Sequence, residues 1–341
     1  NFKLYCWTCV EVTSILLKLF WKNLSMNKLQ KKILVIGRAG LDLYADPVNT
    51  PIKHATKFIS QLGGSAANIA AGLAKQGNDV DLFSTISDDS IGDFVINSCK
   101  DLGINTELLF KVSNSKNTLA IVDTMGNATK AVLYRDNPAD LFLNESYLKK
   151  VDLDCYRLII ITGTSLSRNP SRETVLYLME MGMKKKIEII LDIDYRHGSW
   201  EDNQEAEKVL YSAAMLSNIV VGNDLEFNFM SSGEDQGFVL ASEMSKQYNI
   251  ITIYKMGSQG LYYFNNKKKK LLKSFKVNSI KPTGAGDAFL SSFCSSRMKG
   301  NILSESIKYG AAAGAIVVTR VGCSNAMPDL TEIEEFIQNY N

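Results

Sequence analysis

The sequence predicts an α/β protein, with a doubly wound, mostly parallel sheet flanked by helices and a small β-sheet as a lid. From about residue 156 onward, buried-strand patterns alternate with helix patterns, as they do in parallel sheets. Two earlier segments, 119–123 and 130–134, alternate like exposed antiparallel strands around a turn. Since no repeat or linker interrupts the chain, we expect one domain over residues 26–341, with lid strands from about 42–60 and 117–135.

The remaining strands are predicted from short apolar runs. The run at 33–36 is followed by an extended segment, because Pro47 and Pro51 disfavour a helix there. The lysine run at 267–270 lies between two apolar stretches and predicts a solvated hairpin turn, with polyanion binding as the alternative. The other predicted strands are 80–86, 158–162, 187–193, 218–221 and 250–255.

The helices are predicted from apolar residues at helical spacing and from glycines near their ends. The first begins within Leu62-Gly63-Gly64-Ser65 and runs to Gly77, and its small residues favour close packing. A short helix follows Asn223, and another opens at Asp287. The other predicted helices are 90–102, 171–183, 201–216, 235–248, 310–319 and 331–340.

The composition is that of an ordinary globular protein. With 45% hydrophobic and 22% charged residues, the 341 residues can bury a large core. A net charge of +2 gives no electrostatic case for binding nucleic acid. The six scattered cysteines fit a reducing compartment, and we expect a cytoplasmic location. No membrane span is expected, because Glu11 and Lys18 interrupt the apolar stretch near the start.

The first residues have a different pattern from the rest of the chain. Met26 is followed by polar residues and then by a strand, like a natural start. We therefore expect residues 1–25 to be an extension outside the fold, such as a translation of upstream sequence, with a short amphipathic docking helix as the alternative. Cys6 and Cys9 have redox or zinc spacing, but no second pair follows, and we assign them no role.

The segment Lys281-Pro282-Thr283-Gly284-Ala285-Gly286-Asp287 is the main candidate for a site. Its small residues form a turn that feeds a helix, and such a turn leaves backbone N–H groups free to bind an anion. Asp287 falls in the first helical turn, where its carboxylate can act as a base beside that anion. An ordinary capped helix after a tight turn is the alternative.

Three further candidates precede it in the chain. Asp42 lies just past the first strand, at the sheet edge where open α/β proteins bind ligands, although a turn-forming aspartate would look the same. The pair Gly63-Gly64 permits close approach to the backbone. Asn68 follows about one helical turn later and faces the same end of the helix.

Other candidates follow the later strands. The guanidinium of Arg196 suits a carboxylate or phosphate, with an ordinary surface arginine as the alternative. In Asn223-Asp224-Leu225-Glu226, the glutamate can hold Mg²⁺ through water, or it can simply complete a helix cap. Lys255 ends a strand, and the turn from Gly257 to Gly260 can accommodate a nucleotide or form a plain hairpin.

Absent motifs exclude some functions. The sequence contains no Gly-x4-Gly-Lys-Ser/Thr loop, so a phosphoryl transferase of this sequence is not of the P-loop type. The first strand is not followed by a Gly-x-Gly-x-x-Gly fingerprint, which makes a nicotinamide oxidoreductase a distant alternative. His54 and His197 are far apart in sequence, and we assign them no metal.

Three ordered segments resemble the two signatures and the middle motif of the ribokinase-like (PfkB) carbohydrate kinases, over roughly residues 32–328. They are Gly63–Asn68, Asn223–Glu226 and Thr283–Phe289. The resemblance implies that Asp287 takes the proton from a sugar hydroxyl and that the backbone of 284–286 forms the anion hole. It also implies sugar contacts from Asp42, Gly64 and Asn68. The turn with Gly257 and Gly260 would then lie on the nucleotide side, and we place Asn223, Lys255 and Thr283 there too.

Four further segments resemble the branch of this family that acts in myo-inositol catabolism: 36–42, 134–140, 162–167 and 192–196 with Trp200. In sugar-acid kinases of the family, the arginine that matches Arg196 faces the substrate carboxylate. Many members have an aspartate where Lys281 stands, and it helps to hold a monovalent cation. We hypothesise that the Lys281 ammonium replaces that cation.

The sequence thus predicts an ATP- and Mg²⁺-dependent kinase for the primary hydroxyl of a keto-deoxy sugar acid. The alternatives are 2-keto-3-deoxygluconate or fructose as substrate, and a catalytically silent sugar-binding regulator. A partly exposed lid sheet favours a homodimer. No nucleic-acid or membrane partner is expected.

Overall fold

The computed structural model describes residues 32–125, 130–231, 233, 235–281 and 283–340. The predicted extension at 1–25, the start at Met26 and the place of Pro282 lie outside these residues. The strands are β1 (Lys32–Ile36), β2 (Gly40–Asp46), β3 (Lys57–Gly63), β4 (Val80–Ser87), β5 (Leu109–Val112), β6 (Leu119–Val122), β7 (Ala131–Tyr134), β8 (Tyr156–Thr162), β9 (Glu188–Asp192), β10 (Ile219–Asn223), β11 (Ile251–Lys255), β12 (Leu261–Asn265) and β13 (Lys268–Leu272).

The helices lie between these strands and after them. They are α1 (Ser65–Lys75), α2 (Ser90–Asp101), α3 (Glu145–Leu148), α4 (Ser171–Lys184), α5 (Asn203–Met215), α6 (Asp224–Met230), α7 (Gly237–Tyr248), α8 (Ala285–Met298), α9 (Leu303–Val317) and α10 (Leu330–Asn339).

The large sheet has nine strands in the order β13-β12-β11-β10-β9-β8-β1-β4-β5. The strands from β5 to β11 in this order are parallel, and β12 and β13 add an antiparallel hairpin at one edge. In β1, Leu34 and Ile36 pack into the hydrophobic core on one face, while Ile33 and Val35 pack into the core on the other. A strand buried on both faces reads as a continuous apolar run, and the predicted fold class is confirmed.

The small sheet has four strands in the order β3-β2-β6-β7. Strands β2 and β3 lie in the chain between β1 and α1, where β3 leads through Gly64 into α1, and β6 and β7 lie between β5 and α3. The β6–β7 hairpin matches the two predicted antiparallel strands. All four residues of β7 are exposed, but β6 is not an exposed strand, because Ala120 and Val122 are buried. The small sheet packs against the segment after α9 through Tyr44, Val321 and Cys323.

Three elements differ most from their predicted boundaries. Helix α1 begins at Ser65 and not at 62, because Gly64 has φ 98° and Leu62 and Gly63 complete β3. Helix α9 begins at Leu303, about two turns before residue 310, because Ser306 and Ile307 already face the core. In the predicted hairpin, the turn is at 266–267, and most of the lysine run lies in β13.

A buried ion pair joins Arg135, which directly follows β7, to Asp140 five residues later. The Arg135 guanidinium donates two hydrogen bonds to the Asp140 carboxylate, at 2.8 and 2.7 Å, and the two side chains are only 8% and 1% exposed. Arg135 also donates to Thr118 Oγ1 at 2.7 Å, so the loop after β7 is tied to β6.

We expect Asp140→Asn to lower the free energy of unfolding by about 3 kcal/mol or more, because it leaves the Arg135 charge buried without its counter-charge. Urea denaturation measures this change. Asp136→Asn, at an exposed aspartate of the same loop, is the matched control and should change stability by less than about 0.5 kcal/mol. Equal effects of the two substitutions would show that the buried pair does not stabilise this loop.

Candidate active site

The predicted site residues converge at one edge of the large sheet. Strands β1, β8, β9, β10 and β11 are parallel, so their carboxyl ends share this edge. Helix α8 begins there as well, and its Gly286 backbone lies next to the side chain of Lys255 at the end of β11. The small sheet starts from the same edge, since β2 follows β1 directly.

Helix α8 opens with an anion-binding arrangement of backbone groups. Gly284 precedes the helix with φ 83°, and a Cβ at this position would lie 3.0 Å from Cys323 Sγ. The amides of Ala285, Gly286 and Asp287 begin the helix, so they have no carbonyl one turn earlier in it to accept their hydrogens. Their N–H groups and the positive end of the helix dipole therefore favour an anion here.

Lys255 adds a positive charge to this arrangement. Its Nζ lies 3.3 Å from the point where a Cβ on Gly286 would stand, so glycine leaves room for the ammonium beside the helix start. The same Nζ is 3.8 Å from Asp192 Oδ1. A phosphate at the helix start would therefore meet both backbone amides and an ammonium group.

Asp287 is half-buried in the first turn of α8, as predicted. Asn68 Nδ2 donates to its Oδ2 at 2.8 Å, which joins α1 to α8 inside the site. Burial, and next the charge of Asp194, raise the pKa of Asp287 to about 7, against the opposing effects of the Asn68 hydrogen bond and Arg196. A carboxyl group with a pKa near neutrality is suited to accept a proton from a substrate hydroxyl.

Two acidic residues that were not predicted as site residues lie beside it. Asp192 ends β9, and burial raises its pKa to about 6, with Lys255 opposing the shift. Asp194 has a positive φ of 35°, and its Oδ2 accepts from Thr164 Oγ1 at 3.3 Å. Their place at a strand end was visible in the sequence, but no local pattern shows that they surround Asp287.

Glu226 forms a helix cap at the start of α6. Its Oε2 accepts from the Asn223 backbone N–H at 2.7 Å, and Asn223 Oδ1 accepts from the Glu226 N–H at 2.9 Å. Both halves of the capping box are therefore present. Burial raises the pKa of Glu226 to about 7, and the Lys255 charge opposes this shift. The cap and the predicted contact with magnesium-bound water are compatible, because Oε1 stays outside the cap.

Arg196 follows β9 and lies among these carboxylates. Its Nη2 is 2.9 Å from Asp194 Oδ1, and that contact raises the pKa of the guanidinium. The side chain is nevertheless 59% exposed and lines an open cleft of about 810 Å³. Asn223 and Glu226 line the same cleft, which extends the site outward from the carboxyl ends of β9 and β10.

The sugar-side candidates Asp42 and Gly63 fit against each other. Asp42 is buried, and burial raises its pKa, while Arg38, Tyr44 and Lys281 act against that shift. A Cβ on Gly63 would stand 1.9 Å from Asp42 Oδ1, so a larger residue there would displace the carboxylate. Asp42 is therefore a buried residue of strand β2 in the small sheet and does not form a surface turn.

Gly64 sets the start of α1 against β1. A Cβ on Gly64 would stand 2.3 Å from the backbone oxygen of Arg38, and its φ of 98° also favours glycine. The Gly64 carbonyl accepts from the Asn68 N–H at 2.8 Å, so the two predicted residues belong to one helical turn. This turn aims the Asn68 side chain at α8.

Lys281 is buried next to the helix start. Its Nζ donates to the Thr283 carbonyl at 2.5 Å and lies 3.6 Å from Cys323 Sγ. The Tyr44 hydroxyl donates to Asp42 Oδ2 at 3.3 Å and lies 3.2 Å from the same sulfur. An ammonium group therefore occupies the space behind the predicted anion hole.

The predicted nucleotide-side turn joins β11 to β12. Met256 N donates to the Gly260 carbonyl at 2.8 Å, so the segment is also the hairpin connection that the alternative describes. Gly257 has φ 55° and is exposed, while a Cβ on Gly260 would lie 2.2 Å from the Leu272 carbonyl oxygen. Thr283 is exposed on the other side of the helix start. The nucleotide contacts of this turn stay a prediction.

The described residues show neither a cluster of metal ligands nor a membrane-spanning helix. In the described ranges, no three or more His, Cys, Asp or Glu side chains are arranged to hold a metal ion. Among the helices given above, none has the length and apolar character needed to cross a bilayer.

Comparison with known proteins supports a carbohydrate kinase. The pfkB family carbohydrate kinases match residues 30–330. The chain is 33% identical over 313 residues to a 5-dehydro-2-deoxygluconokinase of Clostridium tetani, covering 90% of this chain and 92% of that protein. It is 32% identical to a 5-dehydro-2-deoxygluconokinase of Photobacterium profundum, with 89% and 94% covered.

Solved structures show the same fold. A fructokinase with bound ATP from Xylella fastidiosa superimposes with a TM-score of 0.80 at 21% identity, covering 91% of this chain and 99% of that one. A putative ribokinase II in complex with ATP and Mg²⁺ from E. coli also gives 0.80, at 22% identity and the same coverage. The predicted ribokinase-like fold is thus confirmed, and the chain belongs to the pfkB family of carbohydrate kinases.

Proposed function

We propose that this kinase transfers the terminal phosphoryl group of ATP to the primary hydroxyl of 5-dehydro-2-deoxy-D-gluconate, a step of myo-inositol catabolism. The relatives that bear this substrate's name cover nearly the whole chain at 31–33% identity, which supports the choice of sugar acid. The observation that carries the chemistry is the half-buried Asp287 carboxyl, bonded to Asn68 in the turn that opens α8.

Each group of site residues has a separate role in the proposed phosphoryl transfer. Asp287 accepts the hydroxyl proton as the oxygen attacks the phosphoryl group. The amides of Ala285 and Gly286, the dipole of α8 and the Lys255 ammonium stabilise the charge that develops on the transferred group. Asp42, Gly64 and Asn68 position the sugar, so that catalysis rests on geometry and electrostatics.

The carboxylates at the site suit Mg²⁺, which prefers oxygen ligands and usually keeps several waters. Burial raises the pKa of Glu226, and the charges of Asp192 and Asp194 add to this shift, so a cation near Glu226 would be favoured. When bound, Mg²⁺ would neutralise part of the negative charge of the ATP phosphates. Glu226 would hold it through water, since its Oε2 already serves the helix cap.

We further propose that the small sheet is the predicted lid and the homodimer surface of a cytoplasmic enzyme. Its strands carry exposed apolar side chains of Phe58, Ile59, Val132, Leu133 and Tyr134. The four cysteines in the described ranges are free thiols, as expected in a reducing compartment. Sedimentation of the purified chain as a monomer would contradict the dimer.

A substrate panel tests the proposed reaction. We expect ADP release to be fastest with 5-dehydro-2-deoxy-D-gluconate when it is compared with 2-keto-3-deoxygluconate and fructose at equal concentrations. A preference for either of the other two sugars would contradict the proposed substrate and still support the kinase activity. If no sugar released ADP, the chain would instead be a silent binding protein.

We expect Asp287→Asn to lower turnover by about 10²–10⁴, because the amide cannot accept the proton, while ATP affinity stays close to that of the wild type. ADP release measures turnover, and a calorimetric titration measures ATP binding. Asp101→Asn, at an exposed aspartate that ends α2, is the matched control. Wild-type turnover in Asp287→Asn would remove this residue from the mechanism.

We expect activity and stability to change in opposite directions with pH. Only the ionised Asp287 accepts a proton, so kcat/KM should rise through pH about 7, the value to which burial raises its pKa. A carboxyl group whose pKa is higher in the folded than in the unfolded protein contributes stability in full at pH values below its unfolded-state pKa. That contribution is lost as the pH rises through its folded-state pKa. The free energy of unfolding should therefore fall between pH about 4 and 7.

Asp287→Asn provides the control for this pH dependence. It should be more stable than the wild type at pH 8 and should lose that advantage near pH 4, because the asparagine never has to ionise. Burial also raises the pKa values of Asp192 and Glu226, so part of the decline should remain in the variant. An identical pH–stability profile for both proteins would contradict the raised pKa of Asp287.

We expect activity not to depend on potassium, because the Lys281 ammonium already bonds the Thr283 carbonyl behind the anion hole. Rates measured in potassium chloride and in tetramethylammonium chloride of equal ionic strength should agree. Lys281→Ala removes the charge and should be slower, with potassium restoring part of the loss. Several-fold activation of the wild-type enzyme by potassium would refute this role of Lys281.

A further inference from the structure

Three buried side-chain atoms around the sugar-side residues have no hydrogen-bond partner in the described part of the chain. They are Nη1 of Arg38, Oε1 of Gln61 and Oδ1 of Asn68. Buried polar groups are nearly always paired, and an unpaired charged donor is the most unfavourable kind. Three such atoms on neighbouring elements are therefore expected at a place where a ligand supplies the missing partners.

The three atoms belong to elements that meet at Asp42. Arg38 directly follows β1, and its carbonyl accepts from the Ala67 N–H of α1 at 3.3 Å. Gln61 stands opposite Asp42 in the β2–β3 ladder, so the two side chains share a face of the small sheet. Asn68 is 4% exposed and reaches from α1 to Asp287.

The unpaired atoms specify the chemistry of their ligand. The Asn68 amide donates through Nδ2 to Asp287, whose ionised carboxylate only accepts, so Oδ1 is an acceptor that needs a donor. Gln61 Oε1 also needs a donor, and hydroxyl groups supply one. Arg38 Nη1 is a cationic donor that is best satisfied by an anion. A molecule with several hydroxyls and one carboxylate meets all three needs.

The two arginines near the site differ in their pairing. Arg196 Nη2 is already paired with Asp194 Oδ1 at 2.9 Å. Arg38 Nη1 is buried and has no partner in the described part of the chain. Because the Arg196 guanidinium already has a carboxylate partner, the unpaired donor of Arg38 is the better receptor for the carboxylate of a sugar acid.

We propose that Arg38 binds the carboxylate of the sugar-acid substrate and thereby selects an acid over a neutral sugar. Asn68 and Gln61 accept hydrogen bonds from the hydroxyls of the same molecule. The assignment rests on the proposed function for the identity of the sugar. Arg196, which the family resemblance implies for the carboxylate, then keeps Asp194 as its partner.

Calorimetric titration without ATP tests this assignment, with 5-dehydro-2-deoxy-D-gluconate and its neutral carboxamide as ligands. Arg38→Gln should weaken binding of the acid by roughly 30-fold or more, because a buried charge partner is lost, and should change binding of the carboxamide little. Arg38→Lys keeps the positive charge but lacks the planar guanidinium group. Its affinity for the acid should therefore lie between those of the wild type and Arg38→Gln. Arg196→Gln should discriminate less between the two ligands than Arg38→Gln does.

The controls separate binding from folding. Arg157→Gln, at an exposed arginine near the opposite end of β8, should leave both affinities unchanged. A single cooperative melting transition of ligand-free Arg38→Gln shows that the variant is folded. If Arg38→Gln does not fold, Arg38→Lys carries the same comparison of acid and carboxamide.

The assignment is overturned if the Arg38 variants weaken acid and carboxamide binding equally or not at all, or if Arg196→Gln accounts for the discrimination. Wild-type protein that binds the acid no better than the carboxamide overturns it too. These titrations require no phosphoryl transfer. An absence of ADP release would therefore reject the kinase reaction, while the affinities would still decide the role of Arg38.

Discussion

The site depends on one hydrogen bond, from the Asn68 amide to the Asp287 carboxyl at 2.8 Å. The two residues are 219 positions apart in the chain, and each stands in the first turns of its helix, α1 or α8. The bond therefore fixes α1, which carries the predicted sugar contacts, against α8, which begins at the predicted anion hole. It also stabilises the ionised form of a carboxyl group that burial and the neighbouring acidic charges would otherwise keep protonated at neutral pH. The same hydrogen bond thus positions α1 against α8 and lowers the proton affinity of the Asp287 carboxylate.

Close packing around this contact limits what the chain can place there. Asp42 fills the space that a side chain on Gly63 would need, and the backbone of Arg38 fills the space beside Gly64. The Cys323 thiol stands against Gly284 in the same way. Glycine is therefore required in the two signature segments both because a side chain would clash and because the backbone conformation favours glycine. They let the small sheet, α1 and α8 approach each other closely, which brings the predicted sugar-side residues next to Asp287.

Local patterns in the sequence were sufficient to predict the alternating strands and helices, the β6–β7 hairpin and the place of Asp287 in the first turn of α8. Each depends on residues that are neighbours in the chain. The start of α1 was predicted too early, because Leu62 and Gly63 fit a helix pattern as well as the last pairs of β3. The acidic group around Asp287 and the unpaired atom of Arg38 depend on contacts between distant strands, and no local pattern reports them. The contacts that the signatures imply with sugar and nucleotide stay predictions.

The central claim is that Asp287 is held as a carboxyl group with a pKa near neutrality beside an anion-binding helix start. Carbon-13 NMR titration of the aspartate carboxyl groups, with Asp287→Asn to assign the signal, measures this pKa directly in the free protein. The account predicts a midpoint at about pH 7, which should move upward in Asn68→Ala because the hydrogen bond that favours the ionised form is lost. A midpoint near the ordinary aspartate value of about 4, unaffected by Asn68→Ala, would contradict it.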